Sequence, residues 1–107
     1  MKEGFKPFDI ASLLEDDEAI AYFLDDAFAE DDTAYIIQAL GIAARAKGMT
    51  KVASETGLAR EALYRSFSED GNPSLKSTIA VLKSLGFKLA IRPASEVDAD
   101  GGTQAAE

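Results

Sequence analysis

The chain has 107 residues, 47% of them hydrophobic, enough for one domain with a modest core. It contains no cysteine and no histidine, which excludes disulfides, thiolate and imidazole metal sites, cysteine nucleophiles and histidine acid–base catalysis together. The net charge of −8 is unevenly spread: residues 1–40 hold eleven acids against two lysines, residues 41–92 hold nine basic side chains against four acids, and residues 93–107 add four more acids. Such asymmetry marks two surfaces suited to two differently charged partners.

In chain order, residues 1–8 read as a loose segment with Phe5 and Phe8. The opening "MKEGFKPFDI" lacks the apolar run of a signal peptide, and no stretch approaches the roughly 18 apolar residues of a membrane span. A cytoplasmic protein without membrane contact is the expectation. Residues 9–92 read as a single domain. Asp9 is placed to N-cap a short turn, "IASLL". In "DDEAIAYFLDDAFAE" the residues Ile20, Phe23, Leu24, Ala27 and Phe28 recur at helical spacing, with Asp16, Asp17 and Glu18 where the helix dipole favours negative charge. "DDTAYIIQALGIAARAKG" predicts a third helix whose stripe is Ile36, Ile37, Leu40, Ala43 and Ala44, with Arg45 and Lys47 in its last turn and Gly48 at its end.

Two short helices flank Gly57, and the breakers in "EDGNPS" follow. Ser74 restarts a helix, "LKSTIAVLKSLG", with the stripe Leu75, Thr78, Ile79, Leu82 and Leu85, and Gly86 suits the left-handed position after it. The period then changes: Phe87, Leu89 and Ile91 alternate with Lys88, Ala90 and Arg92 until Pro93, predicting one strand over 87–92. A lone strand must pair its backbone groups with a copy of itself, another protein or an extended piece of the N-terminus, and the preferred reading is self-pairing in a homodimer through Phe87, Leu89 and Ile91. Residues 93–107 lack aromatics and nearly lack large aliphatics, predicting a disordered acidic tail. The fold class is all-α, five to six helices with one C-terminal strand.

The segment "MTKVASETGLAREALYRSF" meets the requirements of a helix-turn-helix over about 50–68. Ala53 is the small residue at the closest approach of two steeply crossed helices, Gly57 suits the turn, and Val52, Leu58, Leu63 and Phe67 face inward. Thr50 is placed to cap the first helix. Arg60, Glu61, Tyr64 and Arg65 then lie on the outward and leading positions of the second helix, those that enter a major groove. Arginine suits guanine, glutamate can accept from cytosine, and tyrosine can reach phosphate or a thymine methyl. Thr50 and Lys51 are placed for phosphate. Spacing alone fits a plain αα turn with solvated arginines equally well; the local charge reversal favours DNA.

Through "LEDDEAI", the "VASETGL" turn, "EALY" and "GNPS", the chain over about residues 8–92 resembles the Xre/Cro-like antidote (antitoxin) proteins of bacterial addiction modules, the HigA-type group. The resemblance implies a dimeric Xre/Cro-like helix-turn-helix protein that neutralises a small basic toxin of the RelE/ParE class and represses the shared operon by binding double-stranded operator DNA. Matching the motif carries DNA contact to Arg60, Glu61, Tyr64 and Arg65. One departure is visible: Ala59 stands where the group usually has a serine N-cap. A basic toxin would be drawn to the acidic segment, making Asp16, Asp17, Glu18, Asp25 and Asp26 candidates as a group, together with Glu30, Asp31 and Asp32. Singly, each also reads as a cap, a dipole partner or a solvated charge. No calcium-loop spacing is present, so no metal or cofactor is expected, and no spacing suggests an enzyme. Two other readings stay open: a prophage-type regulator without a toxin, and a protein-interaction module with a degenerate helix-turn-helix.

Overall fold

Helix boundaries follow the capping chemistry of the chain. In the computed structural model, which describes residues 7–95, six helices form among the described residues. Helix α1 (Pro7–Leu13) opens on a proline, whose missing N–H is no loss in a first turn. Asp9 therefore lies inside α1 and not ahead of it at the cap position. Helix α2 (Asp17–Ala29) is capped by Asp16, whose carboxylate accepts the Ala19 N–H at 2.8 Å. Helix α3 (Thr33–Lys47) is capped in the same way by Asp32. Asp31, between them, takes a left-handed conformation at φ 61.

Helices α4 (Met49–Thr56) and α5 (Arg60–Ser66) are the short pair, and α6 (Leu75–Ser84) closes the set. Gly48 alone joins α3 to α4, its N–H bonding the Ala44 carbonyl and its own carbonyl accepting the Val52 N–H. Because Gly48 occupies the N-cap, Thr50 falls in the first turn of α4 and does not cap it.

Helix α3 is the centre, packed against α1, α2, α4 and α6. Its middle residues, Ala39 to Ala44, are all buried, and the alanines and glycine among them let neighbours approach closely. Gly41 marks a close approach of this kind, since a Cβ there would overlap the Phe67 carbonyl. Ile20, Leu24 and Ala27 from α2, Met49 and Val52 from α4, Leu63 and Phe67 from the α5 region, and Val81, Leu82 and Leu85 complete one core.

Two expectations for the C-terminal third need correction. On α6 the buried residues are Val81 and Leu82, while Leu75 is 68% exposed and Ile79 44%. Apolar residues cover so much of this helix that periodicity could not choose the inward face; packing against α4 and α3 chose it. Second, no strand forms over 87–92. The chain leaves α6 by a left-handed turn in which the Gly86 N–H (φ 93) bonds the Lys83 carbonyl and the Phe87 N–H bonds the Leu82 carbonyl at 2.8 Å. Phe87 is thereby used in the cap and packed on the core, and among the described residues there is no second strand to make a ladder with residues 88–92. The expectations for residues 1–6 and 96–107 lie outside the described residues.

Candidate nucleic-acid interface

The geometry of the α4–α5 pair starts from its anchors. Val52, Leu63 and Phe67 are buried almost completely, and Ala53 and Leu58 pack partly against the same core. Gly57 ends α4 in the left-handed conformation at φ 78, which a residue with a Cβ adopts only at a cost of about 1–2 kcal/mol. Thr56 adds a lock that spacing did not reveal: its hydroxyl donates to the Val52 carbonyl at 2.8 Å and accepts the Leu58 N–H at 3.2 Å. The turn is thus tied on both sides, and the direction of α5 relative to α4 follows from it.

With that face inward, Arg60, Glu61, Tyr64 and Arg65 are all exposed on α5. The Arg60 guanidinium carbon lies 5.9 Å from the centre of the Tyr64 ring, a one-turn stacking contact that narrows the freedom of the cation. Ala59 precedes α5 in an extended conformation with no side-chain cap bond. Thr50 and Lys51 are exposed at the start of α4. Lys51 is not idle: its ammonium donates to Glu55 at 2.7 Å, and Ser84 of α6 donates to the other oxygen of the same carboxylate at 2.7 Å. Hydrogen bonds from Lys51 first and Ser84 second hold the Glu55 carboxyl below its usual pKa.

A cleft of about 430 Å³ adjoins this edge. Ala11 and Ser12 of α1, Arg45 of α3, Thr50 of α4, and Arg60 and Tyr64 of α5 line it. Sequence patterning assigned Arg45 only to the α3 dipole, because the wall opposite it comes from α1, more than thirty residues earlier. No local signal could have found it.

The acidic residues separate into two groups. Asp16 caps α2, and Asp17 pairs with Lys47 of α3 at 2.8 Å. Glu18, Asp25 and Asp26 remain exposed on α2, on the side that also carries Tyr22, 71% exposed. Of the three apolar residues assigned to dimer contact, Phe87 is packed on the core, whereas Leu89 and Ile91 are exposed, Ile91 almost entirely. Among the described residues no cluster of acids has metal-site geometry, and no helix is long and apolar enough to cross a membrane.

Residues 4–93 match a family model described as a probable addiction module antidote protein. The chain is also 36% identical over 92 residues to an uncharacterized protein of Haemophilus influenzae, an alignment covering 86% of this chain and 95% of the relative. No solved structure matches it. The family match takes in all six helices and the exposed edge of α5: the chain belongs to the family of probable addiction module antidote proteins.

Proposed function

We propose that this chain is the antitoxin of a bacterial type II toxin–antitoxin module. It acts in the cytoplasm as a homodimer, neutralises a small basic toxin of the RelE/ParE class, and represses its own operon by placing α5 of a helix-turn-helix in the major groove of the operator. The observation that carries the DNA half is the outward set Arg60, Glu61, Tyr64 and Arg65, standing on a turn locked by Gly57, Thr56 and the buried Leu63 and Phe67. An edge of two guanidiniums, one stacked on a tyrosine, fits base edges and phosphates better than it fits a dry protein contact. Thr50 lies beside it for a backbone contact. Lys51 must exchange its Glu55 partner for phosphate to take part.

The family assignment supports the toxin half, and charge supports its location. Glu18, Asp25 and Asp26 form an acidic rim around the exposed Tyr22 ring on α2, an arrangement suited to anchoring a cationic protein. Asp16 and Asp17 contribute to the same field while serving as cap and ion pair. Two copies joined through Leu89 and Ile91 would present two α5 helices to half-sites about one helical turn, or a multiple of it, apart.

The test is a mobility-shift titration on the DNA upstream of the gene. Wild-type protein is expected to bind an inverted repeat with steep salt dependence, and the Arg60→Ala, Arg65→Ala double variant to lose specific binding while keeping its helical content. Co-expression with the neighbouring small basic protein should relieve that protein's toxicity and co-purify the pair. A well-folded double variant with wild-type DNA affinity would remove α5 from the role.

A further inference from the structure

In a chain with 19 acids and 11 basic residues, the cleft between α1 and the α4–α5 pair is lined, among the described residues, by two arginines and no carboxylate. Arg45 is half-buried and, among the described residues, has neither an ion-pair nor a hydrogen-bonding partner. Among the described residues Arg60 has only the Tyr64 ring as a partner. The neighbouring lysines are matched, Lys47 to Asp17 and Lys51 to Glu55, while Arg65, exposed on α5, likewise makes no ion pair among the described residues. Two guanidiniums sharing one cleft repel each other unless an anion lies between them, and partial burial of Arg45 weakens the screening that would otherwise relieve that repulsion.

We infer that this cleft is a phosphate-binding site, with Arg45 and Arg60 as its cationic ligands and the Thr50 and Tyr64 hydroxyls as further donors. Guanidinium forks match the paired oxygens of a phosphate. A volume of about 430 Å³ exceeds what a bare phosphate needs and accommodates the sugar attached to it. The cleft shares Arg60, Tyr64 and Thr50 with the proposed groove-reading edge, so a backbone phosphodiester of the bound duplex is the source the position favours. The inference in that form rests on the DNA-binding reading. Arg45 then fixes the register of α5 on the duplex and carries no sequence preference of its own.

The full chain and its Arg45→Ala and Arg45→Lys variants would be titrated by fluorescence anisotropy against the gene's upstream duplex and an unrelated duplex, over a range of salt. Circular dichroism would verify the fold of each. Arg45→Ala is expected to lose about tenfold in affinity for both duplexes alike, with the salt slope reduced by about one. Arg45→Lys should restore the slope without the full affinity. In parallel, inorganic phosphate at constant ionic strength would be followed by amide shifts of Thr50, Arg60 and Tyr64. If wild type fails to bind either duplex, yet phosphate moves those amides and Arg45→Ala abolishes the shifts, the DNA reading falls while the phosphate site stands, with free phosphate as its source. A folded Arg45→Ala variant with unchanged DNA affinity, unchanged slope and unchanged phosphate shifts overturns the site. So does a loss confined to the upstream duplex, which would make Arg45 a base reader.

Discussion

Ala59 stands at the N-cap of α5, and its geometry makes the consequence of a substitution there calculable. It already holds the extended conformation of an N-cap, at φ −69 and ψ 144, but offers no acceptor to the free amides of α5. Ala59→Ser therefore needs no backbone change to add the missing bond. It should stabilise the protein by about 1 kcal/mol, which for a domain of this size is a rise in melting temperature of about 4–8 °C by thermal denaturation. On the proposed function it should also strengthen operator binding, because a serine there can reach a phosphate. An unchanged melting temperature would mean that the amides of α5 are satisfied in some other way.

At the scale of elements, the two faces of the antitoxin reading lie on different helices and should fail separately. Tyr22→Ala removes an exposed ring from α2 that contributes nothing to the core. The expectation is a loss of toxin affinity of about tenfold or more, judged by calorimetry against the co-purified partner, with DNA affinity and melting temperature unchanged. Glu55 plays the opposite part, tying α4 to α6 through Ser84 and to its own helix through Lys51. Its pKa is lowered in the folded state, so its contribution is fully present above the unfolded glutamate value of about 4.3 and is lost as pH falls through the folded value. Glu55→Gln should therefore melt earlier than wild type at pH 7, and the gap should close in acid. A gap that persists unchanged at pH 3 would show that the carboxylate charge is not what joins the two helices.

For the whole molecule the open question is assembly. Residues 88–92 run beyond the α6 cap outside any strand, and Leu89 and Ile91 lie exposed there. Leu75 and Ile79 are further apolar residues turned outward from α6. A second copy would cover surface that a soluble monomer seldom leaves bare. Leu89→Asp with Ile91→Asp should convert a dimer to a monomer in analytical ultracentrifugation and weaken binding to the full inverted repeat far more than to a half-site. A wild-type chain that sediments as a monomer at micromolar concentration would remove these residues from the interface.

Most helix positions, the cap at Ser74 and the outward set of α5 were legible because they are local. The caps expected at Asp9 and Thr50 were not, because α1 opens on Pro7 and Gly48 takes the N-cap of α4, whereas Gly57 with Leu63 and Phe67 fixes which side of α5 faces out. Those patterns repeat at 3.6 residues and need no knowledge of distant chain. The strand was misread for the same reason: alternation in Phe87, Leu89 and Ile91 mimics a half-buried strand, but a strand needs a partner that periodicity does not supply. Likewise Val81 displaced Leu75 and Ile79 from the core because neighbouring helices, not the α6 pattern, selected the buried side. The arginine cleft is the clearest case of tertiary decision. Arg45 reads alone as a dipole partner, and only the packing of α1 and α5 around the α3–α4 junction brings it into one space with Arg60.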